Sequence, residues 1–414
     1  MTATGPRNAP DVVDVVALGE SMVTFLPSRP GRLADVPSFD RGIGGAESNV
    51  ACVLAAAGHT TRWISRVGAD GFGDHLVEAI GGYGVDVSHV RRDPARPTGV
   101  YFRTAGDRAT DAHEVAYYRA GSAASAMTSA DLDLEAVRAG RVLHLSGITP
   151  ALSAGCLALI RELTAPHPAR PLISFDVNHR PSLWRGPHGP EVLLDLARGA
   201  DIVFVGEDEA EQAWGVTGGP SRIREALPEP ETLVVKQGAR GAVVLRHPAD
   251  SRASPGARRG LAGVPGATGV PPLERSRERG RAGGGGASRP GEAGSGGGAP
   301  QAPDRAVHPR PAPAQDAYEP APNVDVVATT GAGDAFAAGF LSATLRDLSL
   351  RDRLRHGHLM AAAALTAPGD LAAPPARAHA DRLAALDDTA WGRLRLGPGW
   401  TRADEEADEE ARTP

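Results

Sequence analysis

An acidic residue, Asp334, follows a glycine-rich turn in the segment ATTGAGDAFAAGF, residues 328–340. The turn comes after an apolar run, and Phe336, Phe340 and Leu341 after it have helical spacing, so the pattern predicts a strand, a turn and a helix start. The exposed amides of a helix's first turn bind anions such as phosphate, and glycines let the backbone approach them closely. A carboxylate here either caps the helix or acts as a general base.

Two features of this turn favour a catalytic carboxylate over a helix cap. The glycines leave the turn open to a ligand, and Thr330 is itself able to serve as the cap or turn residue. Other nucleotide-binding motifs do not fit: the chain has no GxxxxGK followed by Ser or Thr, and ALGESMVTF (17–25) has one glycine where a dinucleotide fingerprint has three. A P-loop NTPase and a nicotinamide oxidoreductase are therefore disfavoured.

The charge and the cysteines narrow the range of partners. The 414 residues carry a formal net charge of -6 at pH 7, whereas proteins that bind nucleic acid or membrane surfaces usually present a basic face. Cys52 and Cys156 lie far apart and outside any CxxC pattern, so neither a disulfide framework nor a zinc site is predicted. The chain shows no signal-peptide pattern and no long apolar span. We expect a cytoplasmic protein with small-molecule partners, and neither a nucleic-acid nor a membrane partner.

Short apolar runs alternate with helical patterns along most of the chain. The runs are rich in Val, Ile, Leu and Phe and show little alternation, as buried parallel strands do. They cover residues 12–18, 141–146, 171–176, 201–205 and 232–237. Helices are predicted between them at Glu47–Ala57, Ser153–Leu163 and Glu207–Trp214. This order predicts right-handed βαβ units in an α/β sandwich.

Four further segments differ from this alternation. Residues of about 20–40 and 97–120 hold β-branched and aromatic residues around turn signals, with no room for a crossover helix, so we predict antiparallel strands in a small β-subdomain or lid. Gly, Pro, Ala, Ser and Arg dominate residues 247–322, which predicts a disordered, low-complexity insert. Residues 401–414 are expected to form a solvated acidic tail.

Two segments in the right order resemble the signatures of one enzyme family. GGAESNVACVLAAAGHTTRWISRVGADGFGDHL (44–76) resembles the N-terminal signature of the ribokinase-like (PfkB) sugar kinases, and TTGAGDAFAAGFL (329–341) resembles their C-terminal signature. Within that family TGVYF, VAYYRAGSAAS, LHLSGITPALS and FDVNHRPSLW are most similar to 2-keto-3-deoxygluconate kinases. The resemblance covers about 13–246 and 324–390.

This resemblance implies a kinase domain over residues 11–400. Its fold would be a three-layer αβα sandwich with a mostly parallel central sheet and a small β-sheet lid. ATP would lie at the carboxyl ends of the strands, and the sugar between them and the lid. Asp334 would accept the proton of the attacking hydroxyl, while the amides of Gly331, Ala332 and Gly333 would hold the charge on the transferred phosphoryl group. ATP also implies Mg²⁺.

The expected substrate is 2-keto-3-deoxygluconate, phosphorylated on its primary hydroxyl. A sugar acid carries a carboxylate, which calls for cationic side chains, whereas a neutral sugar is held mainly by Asp, Asn and hydroxyl groups. The substrate residues implied by the resemblance are Gly44, Gly45, Asn49, Tyr101, Tyr117, Arg119, Arg180 and Asp370. A kinase of a neutral sugar such as fructose or ribose stays open as an alternative, as does a non-catalytic sugar-binding protein.

The resemblance also implies a nucleotide site and a metal residue. The residues implied for the nucleotide are Asn178, Lys236, Gly238, Gly241, Thr330 and His358. GEDEA (206–210) resembles the family's magnesium-associated NxxE motif, with Gly206 in place of the asparagine, and Glu209 is the expected metal residue.

One position departs from the family pattern. Many relatives have an aspartate where Ala328 stands, and that aspartate often helps to hold a monovalent cation. We therefore expect little change in rate when KCl is exchanged for a tetraalkylammonium salt in a turnover assay. Because the exposed face of a small β lid is often covered by another subunit, a homo-oligomer formed through the lid is also expected.

Overall fold

The computed structural model describes residues 11–29, 31–104, 114–186, 188–247 and 315–402. Within them the strands are β1 (Val13–Leu18), β2 (Met22–Pro27), β3 (Phe39–Gly44), β4 (Thr61–Ile64), β5 (Arg66–Gly68), β6 (Arg91–Asp93), β7 (Val100–Arg103), β8 (Val115–Tyr118), β9 (Gly140–Ser146), β10 (Leu172–Asp176), β11 (Ile202–Gly206), β12 (Thr232–Lys236), β13 (Ala242–Arg246), β14 (Gln315–Glu319), β15 (Asn323–Val324) and β16 (Arg395–Leu396). The helices are α1 (Ala46–Ala56), α2 (Gly71–Gly82), α3 (Leu134–Arg138), α4 (Ala154–Thr164), α5 (Gly189–Arg198), α6 (Glu207–Trp214), α7 (Pro220–Ala226), α8 (Ala332–Leu345), α9 (Leu350–Leu365), α10 (Arg377–Ala384) and α11 (Asp388–Arg393).

The central sheet has the strand order β14-β13-β12-β11-β10-β9-β1-β4. Its strands run parallel from β4 to β12, and β13 and β14 add antiparallel pairs at one edge. Successive side chains of a strand point to opposite faces. In β11, Val203 and Val205 pack in the cluster formed with α3 to α7, while Ile202 and Phe204 pack with α1, α8 and α9. The predicted three-layer αβα sandwich is confirmed.

A second sheet, which we call the lid, has the order β3-β2-β7-β8. The β2/β3 and β7/β8 pairs are antiparallel, as predicted, but the central β2/β7 pair is parallel. The prediction of antiparallel strands throughout was therefore wrong for this pair. Turn signals indicate only the relative direction of strands that a short link joins. The connection from β2 to β7 is long and contains β3, α1, β4, β5, α2 and β6.

The predicted insert ends earlier than its composition suggested. Residues 315–319 form β14 at the edge of the central sheet, paired with β13, so the boundary at 322 was wrong. A short edge strand with the polar sequence QDAYE has no long apolar run to distinguish it from its surroundings. The rest of the predicted disorder, and nearly all of the acidic tail, lie outside the described residues. None of the helices in the described part of the chain is long and apolar enough to cross a bilayer.

A buried arginine, Arg355, ties β14 to the C-terminal helices. Its Nε donates to Glu319 at 2.9 Å, its Nη1 donates to the Ala384 carbonyl at 2.9 Å, and the guanidinium stacks 4.6 Å from the ring centre of Trp391. Only 1% of the arginine is exposed. Its removal leaves buried acceptors without a donor, so Arg355→Ala is expected to lower the free energy of unfolding by about 3 kcal/mol.

Urea unfolding followed by circular dichroism measures this change. Arg32→Ala is the matched control, because Arg32 pairs with Asp35 on the surface, where both side chains are more than half exposed. Loss of an exposed pair costs about 0–1 kcal/mol. Equal effects of the two substitutions would contradict the role assigned to Arg355.

Candidate active site

A cavity of about 860 Å³ lies between the carboxyl ends of the central strands and the lid. This is the edge at which open α/β sheets bind ligands. Most of the residues predicted from the sequence line it: Gly44, Gly45, Asn49, Tyr101, Tyr117, Arg119, Asn178, Arg180, Glu209, Lys236, Thr330, Gly331, Gly333, Asp334 and Asp370. Residues from distant parts of the sequence thus meet at one site.

The glycine-rich loop before α8, which the sequence predicts to be catalytic, owes its shape to Gly331. This residue caps α8 in the left-handed conformation, with φ 79°, and a Cβ at this position would collide with the Asp370 carbonyl oxygen. The first intrahelical bond, from the Ala335 amide to the Gly331 carbonyl, is 2.9 Å long. The amides of Gly331, Ala332 and Gly333 precede it and therefore have no acceptor within the helix. They form the kind of N-terminal cluster that binds an anion.

Asp334 lies in the first turn of α8, but its carboxylate does not cap the helix. Asn49 donates to its Oδ2 at 2.8 Å. Burial raises the pKa of Asp334 to about 7, and Asp176 adds to the rise, while Asn49, Arg180 and Lys236 oppose it. A carboxylate whose pKa lies near neutral pH is suited to general-base catalysis.

Asp370, a predicted substrate residue, is bound to the lid. The Tyr101 hydroxyl donates to Asp370 Oδ2, and Arg103 Nη2 donates to Oδ1 at 2.8 Å. Burial raises the pKa of Asp370, against the opposing effect of Arg103. Gly44 lies against the same group, since a Cβ there would collide with both Tyr101 and Asp370. These contacts link the lid to the segment that packs on Gly331.

The two predicted carboxylate-binding arginines have different surroundings. Arg119, 11% exposed, forms an ion pair with the buried Glu20 and lies 5.9 Å from the ring centre of Tyr117. Glu20 also accepts a hydrogen bond of 2.6 Å from Ser122 Oγ. Arg180 is exposed, and its Nη1 donates to the neighbouring His179 carbonyl at 3.0 Å. Both arginines line the cavity, but the charge of Arg119 is partly balanced.

Glu209 is the candidate metal residue. Its Oε2 accepts the Gly206 amide at 2.7 Å and lies 3.9 Å from Lys236 Nζ. No cluster of three potential metal-binding side chains occurs in the described ranges. Mg²⁺ that travels with a nucleotide needs only one or two carboxylates, because phosphates and waters fill the other positions. The residues present therefore fit a nucleotide-bound Mg²⁺.

Three predicted nucleotide residues do not line the cavity. Gly238 and Gly241 form the turn between β12 and β13, both with positive φ, and a Cβ on Gly241 would collide with the Glu319 carbonyl. His358 Nε2 lies 3.1 Å from that same carbonyl oxygen. Burial lowers the pKa of His358 to about 4, so the ring is neutral and donates through Nε2. Contact of these three residues with the nucleotide stays a prediction.

Sequence reasoning missed several cavity residues. Arg103 follows Tyr101 by two positions, and in a strand that spacing places both side chains on one face, so the signal was available. Asp176 closes β10 at the ligand-binding edge, which was a second available signal. Asn178, just beyond it, was predicted from the sequence as a nucleotide residue, and it has φ 39°, an uncommon conformation for a residue other than glycine. We find no sequence signal for Arg185, which also lines the cavity.

The chain is similar in sequence to known carbohydrate kinases. The profile described as pfkB family carbohydrate kinase matches residues 13–258 and 314–377. The chain is 31% identical over 368 residues to the 2-dehydro-3-deoxygluconokinase of Bacillus subtilis (strain 168), covering 88% of this chain and 93% of that protein. It is 34% identical over 244 residues to the 2-dehydro-3-deoxygluconokinase of Thermoproteus tenax, covering 58% and 74%.

A solved structure supports the same assignment. The crystal structure of a PfkB protein from Polaromonas superposes with a TM-score of 0.65 and 29% identity, covering 89% of this chain and 99% of that one. The profile match spans most of this chain and contains both the glycine-rich loop before α8 and the lid strands. The chain belongs to the pfkB family of carbohydrate kinases and is a phosphotransferase.

Proposed function

We propose that this enzyme transfers the γ-phosphoryl group of ATP to the primary hydroxyl of 2-keto-3-deoxygluconate, giving 2-keto-3-deoxy-6-phosphogluconate. The observation that carries the substrate assignment is that Arg119 and Arg180 line the same cavity as Asp334. Two guanidinium groups are suited to a sugar carboxylate, because charge-assisted hydrogen bonds to carboxylates are strong. Similarity to the 2-dehydro-3-deoxygluconokinases of two organisms supports this substrate.

The proposed mechanism of phosphoryl transfer depends on the residues of the loop at the start of α8. Asp334 takes the proton of the attacking hydroxyl, whose oxygen bonds to the γ-phosphorus as the bond to the bridging oxygen of ADP breaks. The amides of Gly331, Ala332 and Gly333 bind the negative charge on the transferred group. Glu209 would hold Mg²⁺ through its waters, and that ion, when bound, neutralises phosphate charge.

Two further proposals concern the whole molecule. The outer face of the lid carries an aromatic cluster in which Phe25 stacks on Phe102 at 4.7 Å, Phe39 packs edge-on, and Tyr118 is 66% exposed. We propose that a second copy covers this face, so that sedimentation velocity finds a dimer; a monomer at micromolar concentration would contradict this.

The second proposal concerns the compartment of the protein. An ATP-dependent enzyme with two free cysteines fits the reducing cytoplasm, which fractionation of the source cells would test.

Arg180→Met tests the substrate assignment. Loss of charge-assisted hydrogen bonds to a carboxylate is expected to raise the KM for 2-keto-3-deoxygluconate about 10- to 100-fold. Any side activity on fructose should keep its KM, because fructose has no carboxylate. A coupled ADP-release assay measures both values. Arg161→Met, on the exposed face of α4, is the control and should change neither.

An unchanged KM for the sugar acid would contradict the assignment, as would equal increases for both sugars. A kinase of a neutral sugar is the alternative within the family. The observation that favours it is Glu20, which already balances the charge of Arg119. A non-catalytic sugar-binding protein is less consistent with the site, since binding alone needs no carboxylate beside the amide cluster.

A further inference from the structure

Lys236 lies where the strand ends meet the catalytic loop. It is the last residue of β12, and its ammonium nitrogen is 3.1 Å from each carboxylate oxygen of Asp176, the last residue of β10. A Cβ built on Gly333 would lie 3.6 Å from the same nitrogen. All three residues line the cavity. The ammonium therefore sits beside the amides that are proposed to bind the phosphoryl group.

Asp176 holds the ammonium in a defined geometry. Its side chain is only 3% exposed, whereas Lys236, at 19%, keeps access to the cavity. A lysine ammonium has three donors, and the two oxygens of Asp176 engage two of them, so the third is available to a ligand. Because the flexible lysine stem is already ordered, a ligand that meets it loses less conformational entropy on binding.

The carboxylates in the cavity would make phosphate binding unfavourable unless a cation is held among them. Asp176, Glu209 and Asp334 place three carboxylates in the same cavity, and they would repel a phosphate that enters it. The Lys236 nitrogen lies 3.1 Å from both oxygens of Asp176 and 3.9 Å from Glu209 Oε2, so this cation already stands among the carboxylates of the cavity. A preorganised positive charge stabilises negative charge that develops in a transition state.

We propose that Lys236 is a catalytic residue that contacts the transferred γ-phosphoryl group, and that Asp176 is a positioning residue that holds its ammonium there. This inference rests on the proposed kinase function but not on the identity of the sugar. Lys236 donates its remaining N–H to a γ-phosphoryl oxygen while it keeps both contacts with Asp176. The γ-phosphoryl oxygen then lies between the ammonium and the amides of the loop.

Nucleotide binding to the full-length protein tests the proposal. Calorimetric titrations with AMP-PNP and with ADP, both with Mg²⁺, separate contact with the γ group from contact with the rest of the nucleotide. Lys236→Met is expected to weaken AMP-PNP about 10-fold or more and to leave ADP unchanged. Asp176→Asn should weaken AMP-PNP less, and should add no further loss in the Lys236→Met background because it acts through the lysine. Equal losses for the two nucleotides, or independent losses for the two residues, would overturn the proposal.

Turnover and a control complete the experiment. Lys236→Met should lower kcat about 10²- to 10³-fold with little change in the sugar KM, and Lys236→Arg should restore part of the AMP-PNP affinity. The control is Glu225→Gln: Glu225 pairs with Arg222 on the surface of α7, where both side chains are more than half exposed, and it does not line the cavity, so both affinities should stay unchanged. If the wild-type protein phosphorylates no sugar, the proposed function fails, while the titrations still decide the contact made by Lys236.

Discussion

The substitution Asp334→Asn is expected to lower kcat by about 10²- to 10⁴-fold, the usual contribution of a general base, while the fold is retained. An amide cannot take the proton of the attacking hydroxyl. The side-chain oxygen of the new asparagine can still accept the 2.8 Å hydrogen bond from Asn49, so the loop keeps its support. Steady-state ADP release measures the loss, and circular dichroism checks the fold. Turnover near that of the wild-type enzyme would show that another group serves as the base.

The same carboxylate makes activity and stability depend on pH. Since burial raises the pKa of Asp334 to about 7, and the base works only when ionised, kcat/KM should rise as the pH increases through about 7. The free energy of unfolding changes in the opposite direction and falls as the pH increases. The folded pKa lies above the ordinary value of 3.8, so the stabilisation by the bound proton is complete below that value and is lost as the pH rises towards 7. Asp334→Asn should therefore raise Tm at pH 8, an effect that thermal melts would detect.

Gly331→Ala is expected to lower kcat by about 10²-fold or more. The new Cβ collides with the Asp370 carbonyl oxygen, and a residue with a Cβ is strained at φ 79°. Relief of the collision is expected to move the loop, and with it the amides of Ala332 and Gly333 that we propose bind the phosphoryl group. Because Asp370 binds Tyr101 of the lid, the sugar KM should rise as well.

Gly215→Ala separates the collision from backbone strain. Gly215 ends α6 with φ 65°, and a Cβ there would meet no atom within 4 Å. The control should lose about 1 kcal/mol of stability and keep its kcat. Steady-state kinetics measures kcat, and urea unfolding measures the free energy of unfolding, for both variants. Equal kcat values for Gly331→Ala and the wild type would mean that the position of the loop is not critical.

Much of the central sheet could be predicted from the sequence, because strands that are covered on both faces appear as short, continuous apolar runs. Val203 and Val205 face one helical layer and Phe204 the other, so β11 must be apolar throughout. The edge strand Gln315–Glu319 has no such apolar run, because a strand at the edge of a sheet need not be covered on both faces. The parallel β2/β7 pair depends on a connection through several other elements, and local turn signals carry no information about it.

The sequence could suggest candidate site residues where several of them stand in one motif, but it gave no signal where a residue depends on a partner from a distant segment. Asp334 and the glycines before it stand in one segment. Glu20, by contrast, lies between β1 and β2, and its ion pair with Arg119, just beyond β8, exists only in the tertiary structure. The sequence could suggest the arginine as a ligand for a carboxylate, but only the tertiary structure shows the charge that balances it.

The most direct test is a coupled ADP-release assay of the wild-type enzyme with 2-keto-3-deoxygluconate, its galactonate-derived epimer, fructose and ribose, with phosphorus NMR of the product. We expect kcat/KM for the sugar acid to exceed that for either neutral sugar by about 10²-fold or more, because the arginines would lack a partner in fructose or ribose. The product should be a phosphate ester of the primary hydroxyl. Preferential phosphorylation of fructose or ribose, or no ADP release with any of these sugars, would contradict the proposed function.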